Sequence, residues 1–243
     1  MSSTSEKGLA KMLGNFNTLI SCCIGYDAKY APSRKALTVP QLQALHLKAK
    51  GGLDIVKTAA AANTIAINQR QLIFEPLKDR ANKVVYSLAS SEADKKIVAD
   101  AETINRKIQG TRLPKAKKAA DPQATEDPNT ISTSQQSFDS VLDNFESLAK
   151  LVAAEPSYMP NETELAHAGL NSYIAGMQAA NQAVINSNTA ASNARISRNN
   201  ILFAEPDGLV PIADAVKTYL RSIFKVSGPE YKQVSKLQFP KSA

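Results

Sequence analysis

Residues 38–67 read TVPQLQALHLKAKGGLDIVKTAAAANTIAI. Leu42, Leu45, Ala49, Val56, Ala60 and Ile67 recur there at three-, four- and sevenfold spacings, which set them on one face of a helix. Thr38 can accept a backbone N–H at the helix start, and Pro40 suits the first turn. Gly51-Gly52 either bends the helix or admits a close neighbour. A second stretch repeats the pattern. It begins at Asn161-Glu162-Thr163-Glu164, which resembles a capping box. It continues through Leu170, Ile174, Met177, Ala180, Val184 and Ala191 toward Phe203. Each stretch predicts one helix of about 35–40 residues, roughly 55 Å at 1.5 Å per residue.

Working outward, the neighbours of the two stretches also match. Leu13-Gly14-Asn15-Phe16 and Leu19 pair with Leu142-Asp143-Asn144-Phe145 and Leu148. Tyr30-Ala31-Pro32-Ser33, Leu37 and Leu42 pair with Tyr158-Met159-Pro160-Asn161, Leu165 and Leu170. Val56, Arg70 and Ile73 fall on Val184, Arg198 and Ile201. After a short insertion, Leu77, Ala81 and Val84 fall on Leu209, Ala213 and Val216, and Ile108-Gln109 falls on Leu237-Gln238. The order and near-constant spacing point to an internal duplication. Each copy predicts four helices. The first spans roughly residues 5–25 in one copy and roughly 135–154 in the other. The third follow Glu75-Pro76 and Pro206-Asp207-Gly208. The fourth follow Ser91, with Glu92 and Asp94 in the first turn, and Ser227-Gly228-Pro229-Glu230. No stretch alternates with period two for long enough to make a strand.

The expected fold is therefore all-α: two sequence-related four-helix units with long central helices, forming helical bundles, at residues 1–110 and 135–243. Residues 111–134 read as a polar, Pro-containing linker. It is basic at Arg112, Lys115, Lys117 and Lys118, then acidic and rich in turn formers through Asp121-Pro122 and Asp127-Pro128. Ala recurs along both long helices, and small side chains let helix axes approach closely. The Asn and Gln residues among them suggest a buried Asn ladder between the long helices, or a wet face.

The 243 residues suffice to bury a substantial core, and 43% hydrophobic with 21% charged residues is a globular composition. Cys22 and Cys23 are adjacent, too close for ordinary disulfide geometry, so a disulfide framework and a zinc ribbon are both excluded. Leu19-Ile20-Ser21-Cys22 has the look of a lipobox. Its preceding apolar run is broken by Gly14, Asn15, Asn17 and Thr18, so export as a lipoprotein is not expected and a cytoplasmic location is. No run of about 18 apolar residues predicts a membrane span. Residues 167–194 carry no full charge but are studded with Asn and Gln.

The net charge of +7 is unevenly spread: residues 1–120 hold 20 Lys+Arg and 9 Asp+Glu, residues 121–243 hold 9 and 13. That imbalance admits contact with nucleic acid or another anionic surface through the first half, although the basic residues are scattered and lack interleaved aromatics.

Catalytic chemistry is present only in fragments. Glu164-Leu165-Ala166-His167 is a single Glu-x-x-His, whereas a di-iron bundle uses two with further inward glutamates. His46 has Gln43 three residues before it. Neither histidine sits in a turn suited to activating a nucleophile. No phosphate-binding Gly-rich loop is present. The expectation is no enzyme, no cofactor and no metal. Arg70 and Arg198 are the matched polar pair near the ends of the long helices. There a cation complements the helix dipole, or accepts an anionic ligand or acidic partner. Arg70, Arg198, Arg112, Lys115, Lys117 and Lys118 are thus the candidate anion or partner contacts.

The C-terminal run Arg198-Asn199-Asn200-Ile201-Leu202-Phe203, Gly208-Leu209-Val210, Ala215 to Phe224 and Tyr231 to Phe239 resembles the ending of a group of tandem-repeat helical proteins of Bacteroidetes with no assigned activity. The resemblance implies a bacterial source and a helical fold, and no site. The functional expectation is a helical scaffold or interaction module whose partner is a protein, itself or another. Alternatives are binding of nucleic acid or an anionic surface through residues 1–120, and a helical protein that associates with membranes.

Overall fold

A computed structural model describes residues 4–110 and 136–240 of the chain. Among the described residues eight α-helices follow in order: α1 (Thr4–Gly25), α2 (Val39–Phe74), α3 (Leu77–Ala89), α4 (Lys95–Gln109), α5 (Phe138–Ala153), α6 (His167–Phe203), α7 (Leu209–Ile223) and α8 (Pro229–Ser235). Two 3₁₀ turns, Asp27–Lys29 and Lys35–Leu37, lie between α1 and α2. No strand occurs among the described residues, so the fold is all-α. No helix among them is long and apolar enough to cross a membrane. The expected linker at 111–134 lies outside the described residues.

Helix starts follow local chemistry, with three departures from expectation. Thr38 does precede α2, and its carbonyl accepts the Leu42 N–H at 3.0 Å. Its hydroxyl, however, donates back to the Lys35 carbonyl at 2.9 Å instead of capping the helix. The fourth helix begins one residue beyond Asp94, whose carboxylate accepts the Lys96 N–H at 2.7 Å and is the cap itself. The capping box at Asn161 is not a helix start. Residues 161–166 form turns, with Leu165 and Ala166 N–H both donating to the Glu162 carbonyl, and α6 begins at His167. Gly169 explains why these turns can lie so close: a Cβ there would overlap the Thr163 carbonyl oxygen.

The chain forms two compact units, Met1–Asn63 with Ser187–Ala243, and Thr64–Asn186. These are drawn differently from the sequence copies. The boundaries fall inside α2 and α6, not in the segment between the copies. Helices of 36 and 37 residues run about 54 Å, nearly twice the span of a small domain, so each can feed two cores. The first unit takes α1, α2 as far as Asn63, α6 from Ser187, α7 and α8. The second takes the rest of α2 and α6 with α3, α4 and α5.

The first unit buries Met12, Phe16, Leu19, Leu37 and Leu42 against Leu202, Leu209, Ile212, Val216 and Leu220. Gly52 brings α2 against α6 here: a Cβ at that position would meet the Ile201 methyl at 3.2 Å. The second unit buries Leu77, Ala81, Val84, Leu88 and Ile108 against Phe145, Leu148, Tyr158, Leu165, Leu170 and Met177. In the first unit the buried Tyr30 hydroxyl donates to the Leu37 carbonyl at 2.6 Å; in the second, Tyr158 donates to Leu165 at 3.0 Å. Both reach seven residues along the chain.

The Asn and Gln residues of α6 form no buried ladder. Asn181 is the buried Asn, donating to Asp139 at 2.9 Å, while Asn171, Asn186, Asn188 and Asn193 are exposed. Ser187 donates to Asn63 Oδ1 at 3.0 Å.

Candidate functional site

Of the predicted cations, Arg112, Lys115, Lys117 and Lys118 lie outside the described residues. Arg70 sits a turn before the end of α2, not in its last turn, and its guanidinium lies 4.0 Å over the Phe138 ring. Its Nε is buried without a hydrogen-bond partner. The ring face supplies the electrostatic contact instead. Arg198 likewise precedes the last turn of α6. It is only 9% exposed, and both Nε and a terminal nitrogen donate to Asn199 Oδ1 at 3.2 and 3.0 Å. The two arginines belong to different units and occupy different surroundings.

The other singled-out groups have structural partners. Glu164 sits in the turn before α6, paired with Lys83 at 3.2 Å and Arg80 at 3.6 Å. Lys83 also meets Asp79 at 3.1 Å, and these carboxylates hold its ammonium charged beyond the usual range. Arg80 lies 4.1 Å over the Tyr173 ring. His167 is exposed beside Tyr158, with ring centroids 5.6 Å apart. His46 stacks on the buried Phe16 ring at 6.5 Å, and burial, then the nearby Lys50 charge, pulls its pKa below the ordinary 6.5. Cys23 is buried, and burial pushes its thiol up to about 11; Cys22 is half-buried. No group of three or more His, Cys, Asp or Glu among the described residues could hold a metal ion.

One concavity belongs to the second unit. It is an open groove of about 790 Å³ between α3 and the 157–165 segment. Half-buried Ser87, Ser91 and Ser157 line its floor, and exposed Ser90, Lys83, Glu162 and Glu164 line it too. The floor is hydrogen-bonded: Ser91 and Ser157 hydroxyls lie 3.3 Å apart, and Ser157 donates to Glu155 at 2.7 Å. Two large side chains stand at the rim with most of their surface in water, Tyr86 at 72% and Met159 at 83% exposed. A groove with an apolar rim, hydroxyls inside and charges at one edge has the chemistry of a recognition surface.

The first unit has a matched segment at residues 29–37. Tyr219 of α7 lies beside it, its ring 5.5 Å from Tyr30 and edge-on, its hydroxyl accepting the Ala31 N–H at 3.2 Å. At the offset that matches Leu77, Ala81 and Val84 with Leu209, Ala213 and Val216, Tyr219 matches Ser87. Sequence reading aimed at charges and missed the groove. No local motif announces it, because its walls come from α3 and residues 157–165, far apart in sequence.

Charge also divides by unit. The first unit holds 16 Lys+Arg and 7 Asp+Glu, a formal +9; the second holds 13 and 15, a formal −2. The basic excess of residues 1–120 is thus shared between the units, since residues 64–120 carry 12 Lys+Arg and 6 Asp+Glu. Compared with family models, with curated proteins and with solved structures, the chain matches none of them.

Proposed function

We propose that this is a non-enzymatic bacterial protein of the cytoplasm, a helical scaffold that works by binding another polypeptide at the groove of its second unit. The observation that carries this is the pair of water-exposed rim side chains, Tyr86 and Met159, over a hydrogen-bonded serine floor. Exposed aromatic and thioether groups cost free energy in water and recover it when a partner covers them. The proposal includes descent from a duplicated four-helix sequence. It is supported by Phe16 and Phe145, Leu42 and Leu170, and Leu88 and Leu220, which are matched in sequence and fully buried. The two tyrosine-to-carbonyl bonds at identical chain separation support it too.

The test is a photo-crosslinking side chain at position 86 in the native host, with position 57 on the exposed face of α2 as control. A discrete protein adduct from position 86 alone supports the reading. Equal labelling from both positions, or none from position 86, refutes it.

A second reading, contact with nucleic acid or another anionic surface, is favoured by the +9 of the first unit. Phosphate contacts weaken steeply with salt. Retention of a nucleic acid at low salt that falls linearly on a log–log salt plot supports it, and no retention at low salt removes it.

A further inference from the structure

The fourth helix of the second unit, α4, runs 15 residues and carries Ile108 fully buried near its end. In the first unit α8 is seven residues long, and from Lys236 the chain continues outside any helix. The sequence match of Ile108-Gln109 with Leu237-Gln238 sets Gly110 opposite Phe239. Burial alternates along this stretch as it does along an extended peptide. Leu237 and Phe239 are half-buried, while Lys236, Gln238 and Pro240 are exposed. The first unit holds the stretch through its main chain. Lys217 Nζ donates to the Leu237 carbonyl, and Asn15 Nδ2 donates to the Gln238 carbonyl at 3.0 Å. The Phe239 ring stands edge-on to Phe16 with centroids 6.3 Å apart, and Lys217 Nζ lies 5.1 Å from the Phe239 ring centre. Phe16 is 0% exposed, and His46 stacks on it.

We infer that Asn15, Phe16 and Lys217 form a seat for an aliphatic-x-Phe peptide segment of a partner polypeptide, and that the chain's own Leu237-Gln238-Phe239 occupies it as a displaceable internal ligand. The seated stretch states the chemistry of the partner. Bonds to main-chain carbonyls accept any sequence, and the two inward positions select an aliphatic and then an aromatic side chain. The ammonium over the ring favours an aromatic at the second of these. Two features make the internal ligand replaceable. The Asn15 bond is exposed, so water can take the released carbonyl with little net loss. Among the described residues no carboxylate forms an ion pair with Lys217. Burial draws its pKa below the ordinary value against the opposing Asp214 charge, so opening the seat returns water to a strained cation. The seat lies wholly in the first unit and is independent of the groove in the second.

The experiment follows a fluorescently labelled, end-capped peptide of residues 236–240, Lys-Leu-Gln-Phe-Pro, by anisotropy against the full chain carrying Phe239→Ala. In the unaltered chain the tethered segment competes at a high effective concentration. The variant should therefore bind the peptide saturably, and at least several-fold more tightly than the unaltered chain does. The same peptide with Ala in place of Phe should bind the variant at least several-fold more weakly. Adding Lys217→Met to the variant should weaken the original peptide by a similar factor. Should Phe239→Ala lose its cooperative thermal transition by circular dichroism, Leu237→Ala loosens the segment at its other inward position and takes its place. No saturable binding to a folded variant overturns the inference. So does equal binding of the Ala peptide, or an affinity unchanged by Lys217→Met. A concentration-dependent dimer of the unaltered chain that Phe239→Ala dissolves also overturns it, because the seat then takes the segment of a second copy instead of a partner's.

Discussion

Cutting the chain between Thr125 and Glu126 separates the two sequence copies and touches none of the described helices. The core clusters state what each piece then lacks. In the first unit Met12, Phe16, Leu19, Ile20, Leu37 and Leu42 stay with the N-terminal piece. Leu202, Leu209, Val210, Ile212, Val216, Leu220 and Val234 leave with the C-terminal piece. Burying a side chain of that size contributes about 1.5–3 kcal/mol, so seven of them contribute on the order of 10–20 kcal/mol. That equals or exceeds the whole stability of a typical domain, about 5–15 kcal/mol. The second unit is divided in the same way, with Leu77, Val84, Leu88 and Ile108 on one piece and Phe145, Leu148, Leu170 and Met177 on the other. Neither piece should therefore fold as a monomer, and mixing them should restore a cooperative thermal transition by circular dichroism. Because the copies carry similar buried residues, a piece can self-pair, and light scattering would then report a dimer. A monomeric piece with a sharp melting transition would refute the reasoning, since it would show that one copy closes a core by itself.

Four further outcomes follow from individual contacts. His46 has a folded-state pKa below 6.5, so the unfolded chain binds the proton more readily and stability declines as pH falls below about 6.5; denaturant midpoints across that window should flatten in His46→Gln. Gly169→Ala places a methyl on the Thr163 carbonyl, and overpacking of about 1–3 kcal/mol should lower the urea midpoint. Asp94→Ala removes the cap on Lys96 N–H and should cost about 0.5–2 kcal/mol in the same assay. Cys23, buried and held protonated by burial to about 11, should resist iodoacetamide at pH 8 while Cys22 reacts, which peptide mapping can follow.

The helices were legible because their apolar faces are local facts. Leu42 and Ala49 on α2, and Leu170 and Met177 on α6, are buried as their spacing requires. The start of α6 was misread at Asn161, where polar side chains imitate a cap. The better signal was already present: Val39 and His167, the observed starts, differ by the offset that pairs Tyr30 with Tyr158. The composition of the compact units was not legible. Periodicity says which face of a long helix is apolar, not which segment covers each half of it. The surroundings of Arg70 were hidden for the same reason, because Phe138 is 68 residues away and nothing local to α2 announces it. The groove escaped because α3 and residues 157–165, which line it, are some 70 residues apart and no local motif joins them.

A chain synthesised from its N-terminus meets these units out of order. Met12 and Phe16 leave the ribosome early, yet the Leu209 to Val234 partners that cover them come about 190 residues later. At roughly 5–20 residues per second that is a wait of about 10–40 s. The second unit, whose residues end at Asn186, can close while α1 is still uncovered. For that interval the nascent protein displays an amphipathic helix with no lasting home, which makes α1 the segment a trigger-type chaperone should hold.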